Sequence, residues 1–260
     1  MSPLLQDRVV VVAGVGPGLG RAVAVQAARA GADVVLAART QKRLDVVAGE
    51  VAAIGRRAVV VPTDITDDTS AEHLVSTTLG ELSRVDALVN NAFAMPPMQD
   101  LADTGFDALR QSFEVNVLAA LRLTRLFAPA LAERAGSVVM VNSAVLRHSR
   151  RPYGPYKMAK ASLLAVAQSL ATELGPRGVR VNSVAPGWIW AETLRWYFDH
   201  LAGERGVPAR QVYDETAAAL DLRRLPEPEE VADVVVVLAS SLARAVTGQC
   251  VDVNCGEFHH

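Results

Sequence analysis

Tyr156 and Lys160 stand four residues apart in Tyr156-Lys157-Met158-Ala159-Lys160, inside a stretch with helical patterning. Positions i and i+4 share one face of a helix, which brings the ammonium to the phenol. A free tyrosine has a pKa of about 10, too high for efficient proton transfer near neutral pH. A neighbouring cation favours the phenolate and lowers that value. Ser143, at the end of a strand-like run, offers a hydroxyl to the substrate oxygen. Asn116 is a lone polar residue among Val115, Val117 and Leu118. A buried amide there needs partners, and a water leading toward Lys160 would supply them. The chemistry read from this set is proton exchange with a carbonyl or an alcohol.

A second group of residues fits a nucleotide. Gly14-Val15-Gly16-Pro17-Gly18-Leu19-Gly20 follows a strand-like run and opens directly into a helical one. Glycines in that place permit a tight turn and let backbone N–H groups approach a pyrophosphate at the helix N-terminus. The next strand ends Ala37-Ala38-Arg39-Thr40 and carries no acid for a ribose 2′-hydroxyl. Arg39 offers instead a fork of donors suited to a 2′-phosphate, with Lys42 and Arg43 behind it. NADP is therefore the expected cofactor, with NAD as the alternative.

Around these two groups, short β-rich runs alternate with longer helical ones along the whole chain. Residues 9–13, 33–38, 58–62, 87–90, 137–142, 179–184 and 249–253 are predicted strands. Most are unbroken Val/Ile/Leu/Ala runs, as in strands covered on both faces. Helices are predicted over 19–30, 41–54, 69–82, 106–133, 156–174 and 228–239, with Gly31, Gly55 and Gly175 at their C-terminal caps. This alternation implies a doubly wound parallel sheet, one Rossmann-like domain spanning residues 1–260. Only residues 188–224 break the rhythm, and they hold Trp188, Trp190, Trp196, Tyr197 and Phe198. A lid over the substrate, suited to a bulky apolar ketone or alcohol, is one reading of that insertion; aromatics packing on one another is the other.

In such sheets ligands bind beyond the carboxyl ends of the strands. Asp64-Ile65, Asn91-Ala92, Ser143 and Pro186-Gly187 all fall there. Asp64 is expected to accept from the adenine amino group with the Ile65 backbone beside it. Asn91 and Ala92 would lie along the adenosine ribose, and Ile189 would fix the nicotinamide amide through its backbone. His148, Arg150, Arg151 and Tyr153 read as a solvated loop, with contact to a polar or acidic substrate as the alternative.

The chain has 260 residues, half of them hydrophobic, and a net charge of −2. Scattered Lys and Arg give no basic face for nucleic acid. The start from Met1 lacks a basic segment followed by a long apolar one, and no uncharged apolar run reaches a membrane span, so a cytoplasmic protein is expected. Cys250 and Cys255 read as buried structural thiols, and neither they nor His259-His260 have metal-ligand spacing.

The glycine loop resembles the Gly-x-x-x-Gly-x-Gly loop of the short-chain dehydrogenase/reductase family, with Ala13 replacing the Thr that precedes it. Ser143, Tyr156 and Lys160 match that family's Ser and Tyr-x-x-x-Lys set, and Asn116 its helical Asn. Asn-Asn-Ala-Gly departs at Phe93, which either shapes the substrate side or packs on the central helix. The resemblance runs from Val9 to Val253. It implies hydride transfer between a nicotinamide and a substrate carbon, with Ser143 orienting the carbonyl. It also implies a proton relay from Tyr156 through the ribose and Lys160, which holds that ribose, to a water at Asn116. A homotetramer or dimer built on helices 106–133 and 156–174 is implied too, with Ala119, Ala120, Ala161 and Ala165 as close-packing positions. The rivals are a non-catalytic dinucleotide sensor on the same fold and a serine hydrolase. The latter lacks a Gly-x-Ser-x-Gly elbow.

Overall fold

A computed structural model describes residues 3–259; Met1, Ser2 and His260, and what was read from them, lie outside the described residues. The strands are β1 (Val9–Ala13), β2 (Asp33–Ala38), β3 (Ala58–Pro62), β4 (Ala87–Asn90), β5 (Ser137–Val141), β6 (Arg180–Pro186) and β7 (Cys250–Val253). They form one seven-stranded sheet in the order β3-β2-β1-β4-β5-β6-β7. Every pairing is parallel, as the unbroken apolar runs require. The chain winds outward from β1 to β3, then returns to place β4 on the other side of β1. The order reverses between those two strands, and a crevice opens at that point.

Strand side chains alternate between faces, so each face builds its own core. Val10, Val12 and Val34 pack with α1 (Leu19–Arg29), α2 (Gln41–Ala53) and α9 (Pro228–Ala239). Val9, Val11 and Ala13 pack on the opposite side, with α3 (Asp68–Leu82), α5 (Ala119–Glu133) and α6 (Gly154–Leu174). Gly31 and Gly55 end their helices at φ +96° and +84°, a left-handed conformation that costs glycine no Cβ clash. Gly175 does not: at φ −53° it continues as a 3-10 turn, and Gly178 at +80° makes the reversal.

The single helix expected over residues 106–133 is three pieces. α4 (Phe106–Phe113) passes through a π-helical turn (Glu114–Leu118) into α5. The whole is apolar and long enough to cross a membrane by composition, but half of its apolar stretch is buried within the protein, against neighbouring helices and strands. Ala119 and Ala120 are buried in the chain's own core and so are not available to a partner subunit, whereas Ala161 and Ala165 are exposed.

The insertion is helical, as expected of a segment near 188–224 without a strand. α7 (Glu192–Arg205) and α8 (Ala209–Ala218) pack through Phe198, Ala202, Val212 and Leu225 into a small core of their own, separate from the sheet. Cys250 and Cys255 are free thiols, only half-buried; burial pushes Cys250 up to about 11, which keeps it protonated and unreactive at neutral pH.

Candidate active site

A cleft of about 1670 Å³ opens over the carboxyl ends of the strands. That exceeds the roughly 300–1,000 Å³ of a pocket for one small ligand, and leaves room for a dinucleotide and a substrate together. Its walls include Gly14, Gly16, Gly18, Leu19, Gly20, Arg39, Asp64, Ile65, Asn91, Ala92, Ser143, Tyr156, Pro186, Gly187 and Ile189. These residues, scattered along the chain, meet on one rim.

The glycine loop divides by purpose. A Cβ on Gly14, at φ +101°, would fall 2.3 Å from the Ala92 nitrogen, and one on Gly20 2.3 Å from the Gly14 carbonyl. Those two are required by the fold. Gly16 has nothing within 4 Å and Gly18 meets only the Ala191 methyl, so their missing side chains leave a cradle open to the cleft. The backbone there can approach a pyrophosphate at the start of α1, and the donor set fits a dinucleotide. The Ala13 carbonyl accepts from both the Asn91 and Ala92 N–H at 2.9 Å, tying the loop to the end of β4.

Two of the expected ligand residues also hold the site together. The Asn91 amide donates to the Gly14 carbonyl at 2.7 Å and so braces the loop while lining the cleft. Asp64 Oδ1 accepts from the Thr66 hydroxyl at 2.6 Å and the Thr66 N–H at 2.9 Å, which hold its carboxylate below the ordinary value. Its other oxygen stays free for a donor. Arg39 is exposed on the cleft wall and donates to no group among the described residues.

At the other end, Ser143 caps the 3-10 turn Ala144–Arg147 and accepts from the Val145 N–H at 3.2 Å. Its hydroxyl also lies close enough to the Tyr156 phenol to oppose the upward effect of burial on it. Lys160 lies behind the tyrosine, 2% exposed and absent from the cleft wall. Its Nζ is 5.7 Å from the Tyr156 ring centre and donates to the Val141 carbonyl at 2.8 Å. The expected lowering of the phenol pKa is not found in the protein alone. Burial pushes Tyr156 up to about 12, with the Ser143 hydroxyl opposing it, and pulls Lys160 down to about 7. Desolvation penalises both charged forms more than the pair gains.

Asn116 sits in the π turn, 1% exposed. Its amide donates to the Ala94 carbonyl at 2.8 Å and the Ser112 carbonyl at 2.9 Å, and accepts from the Ala94 N–H at 3.3 Å. The side chain ties the cleft wall at Ala94 to the helix. The wide turn places this segment against α6, which carries Tyr156 and Lys160.

On the substrate side, Phe93 lines the cleft at 55% exposed rather than packing on the central helix. Trp188, Trp196 and Tyr197 also line the cleft, while Trp190 and Phe198 pack in the insertion's own core. His148, Arg150, Arg151 and Tyr153 line the cleft; Arg150 and Arg151 are exposed, as a solvated loop would be, and His148 and Tyr153 are half-buried. Glu257 joins them, and nothing in the sequence pattern singled it out. Its position just beyond the last strand was the available signal, since β7 ends on the same rim as its neighbours. Among the described residues no group of three His, Cys, Asp or Glu is arranged to hold a metal.

Residues 14–257 match the family described as Enoyl-(Acyl carrier protein) reductase. An uncharacterized oxidoreductase of Mycobacterium tuberculosis is 36% identical over 97% of this chain and 92% of its own. Dehydrogenase/reductase SDR family member 4 of Bos taurus is 32% identical over 98% of this chain and 89% of its own. Among solved structures, L-sorbose reductase from Gluconobacter frateurii, complexed with NADPH and L-sorbose, superposes with a TM-score of 0.92 at 27% identity, covering 100% of both chains. A 7α-hydroxysteroid dehydrogenase complexed with NADH and 7-oxo glycochenodeoxycholic acid gives 0.88 at 26% identity, covering 98% of this chain and 96% of that one. With its parallel sheet, open glycine cradle and Ser143–Tyr156–Lys160 cluster, the chain belongs to the short-chain dehydrogenase/reductase family of oxidoreductases.

Proposed function

We propose that the protein interconverts a ketone and a secondary alcohol, with NADP(H) as the preferred cofactor. The observation that carries this reading is the meeting of Ser143 and Tyr156 on the cleft wall, with Lys160 directly behind. When bound, the nicotinamide supplies or accepts the hydride. Tyr156 gives its phenolic proton to the carbonyl oxygen in reduction and takes it back in oxidation. Ser143 donates a hydrogen bond to the same oxygen and orients it. A phenol that is neutral in the empty cleft is ready to act as the acid, and Lys160 becomes a stronger aid to the phenolate as charge enters the site.

Gly16 and Gly18 would cradle the pyrophosphate and Arg39 the 2′-phosphate, supported by the open cradle and by an exposed Arg39 guanidinium that donates no hydrogen bond among the described residues. The related structures hold NADH in one case and NADPH in another, so NAD(H) stands as the alternative. Phe93, Met95, Trp188 and Trp196 give the substrate side an apolar wall suited to a bulky ketone. The exposed Ala161 and Ala165 stripe of α6 supports a homo-oligomer joined through that helix.

Tyr156→Phe tests the mechanism. Turnover of a ketone with NADPH is expected to fall about 10²- to 10⁴-fold, as for loss of a general acid, while NADPH affinity by fluorescence titration stays within about twofold. Turnover within a few-fold of the parent would sink it.

A further inference from the structure

The chain beyond β7 turns back into the cleft, and the turn is built to do so. Asn254, buried, accepts from the Gly256 N–H through Oδ1 at 2.9 Å and donates through Nδ2 to the Phe258 carbonyl at 3.2 Å. Its carbonyl accepts from the Glu257 N–H at 3.1 Å. Gly256 holds φ +80°, and a Cβ there would lie 2.6 Å from the Asp221 side chain, so the turn requires glycine. The product is a fixed carboxylate: Glu257 lines the cleft with its side chain only 8% exposed.

That carboxylate is under-supplied with donors. Glu257 Oε2 rests against Gly187, where a Cβ would come within 2.8 Å of it. The Trp188 indole lies beside the group, and the Arg150 guanidinium pairs with Oε1 at 3.6 Å, an ion pair without a direct hydrogen bond. A carboxylate offers about four lone-pair positions, and a buried one left short of donors is costly. The surrounding wall selects what could fill them. Tyr153 keeps a neutral hydroxyl, held up by burial, and His148 is held neutral by burial and by the nearby Arg150 and Lys157. A substrate cation would meet Arg150 on the same wall, and a substrate anion would meet Glu257. A neutral hydroxyl suits both halves of the wall, donating to the carboxylate and accepting from the phenol.

We infer that Glu257, assisted by Tyr153, binds a hydroxyl group of the substrate, and that the enzyme's substrates are hydroxylated ketones and the matching polyols. This rests on reading the cleft as a site of ketone reduction. The Phe93 and Trp196 wall then carries the substrate's carbon skeleton while Glu257 fixes its orientation toward Tyr156.

The test compares cyclohexanone with its ring-hydroxylated derivatives, using NADPH and NADH, in the parent and in Glu257→Gln, Glu257→Ala and Tyr153→Phe. The parent is expected to favour at least one hydroxylated ketone in kcat/KM. Both Glu257 variants should cut that preference about 10- to 100-fold, the loss typical of a hydrogen bond to a charged group, and Tyr153→Phe should cut it less. NADPH titration and thermal melting confirm that each variant is folded, and the isosteric Gln keeps the packing on Gly187. A parent without preference, or an equal fall on both substrates in both Glu257 variants, overturns the inference and leaves Glu257 as a prop for Gly187 and Trp188. A parent that turns over no ketone with either cofactor overturns the reading of the reaction itself.

Discussion

The two ends of the cleft are made of different material. The nucleotide end is backbone: the Gly14–Gly20 loop, N–H groups at the start of α1, and strand ends whose side chains, such as Asn91, are used to hold the loop itself. The substrate end is side chains, contributed by the 143–156 loop, the lid and the turn after β7. A backbone site depends on where the chain can pass, and a methyl group is enough to block it. A side-chain site depends on which residues happen to meet, and it can be re-cut without moving the frame.

The sharpest way to break this contrast is Gly14→Ala. The new Cβ would sit 2.3 Å from the Ala92 nitrogen, on a residue held at φ +101°. Strain and clash together should cost about 3 kcal/mol or more in stability and abolish cofactor binding. A melting temperature unchanged in the variant would show that the nucleotide end is softer than its glycines suggest.

Lys160 tests the seam between the ends. Its folded value of about 7 lies below the ordinary 10.5, so the unfolded chain binds more protons between those two pH values. Stability due to this residue therefore rises with pH through that window and is lost as pH falls toward 7. Tyr156, raised to about 12, acts in the opposite sense only above its ordinary 10. Against Lys160→Met, the parent should gain about 2–4 kcal/mol in relative stability from pH 7 to pH 10, at roughly 1.4 kcal/mol for each pH unit crossed. Denaturant melts across that range measure it; a constant gap would mean that Lys160 titrates as a solvated lysine.

Arg39→Ala gives the smallest expected effect and sharpens the comparison, because Arg39 is the side-chain exception at the nucleotide end. NADPH affinity should fall about 10- to 100-fold, some 1.5–3 kcal/mol, with NADH affinity little changed. Equal affinities for both cofactors in the parent would remove any role for the 2′-phosphate.

The same division explains what the sequence discloses. Strands β1 to β4 are legible to the residue, since buried parallel strands announce themselves as apolar runs between glycines. The glycine loop and the Ser143, Tyr156 and Lys160 set are legible because chemistry fixes their local spacing. The π turn at Asn116 is not, because one extra residue in a helical turn barely alters the apolar pattern of Phe106–Glu133. The high phenol value of Tyr156 is not, because helical spacing shows the neighbouring cation but not the burial that outweighs it. Glu257 is hard to see for a third reason: its place just beyond β7 puts it on the rim, but it meets Gly187 and Trp188 only through the tertiary fold.

The lid from Trp188 to Leu225 closes on itself. The Trp190 N–H donates to the Pro226 carbonyl at 2.9 Å, so the segment leaves and re-enters the frame at nearly one point. Its aromatic core is its own. Once a loop's ends are pinned together, lengthening it adds only slowly to the entropy of closure. The lid is thus an exchangeable cassette, free to grow, shrink or be replaced through evolution while the sheet and the nucleotide end stay as they are.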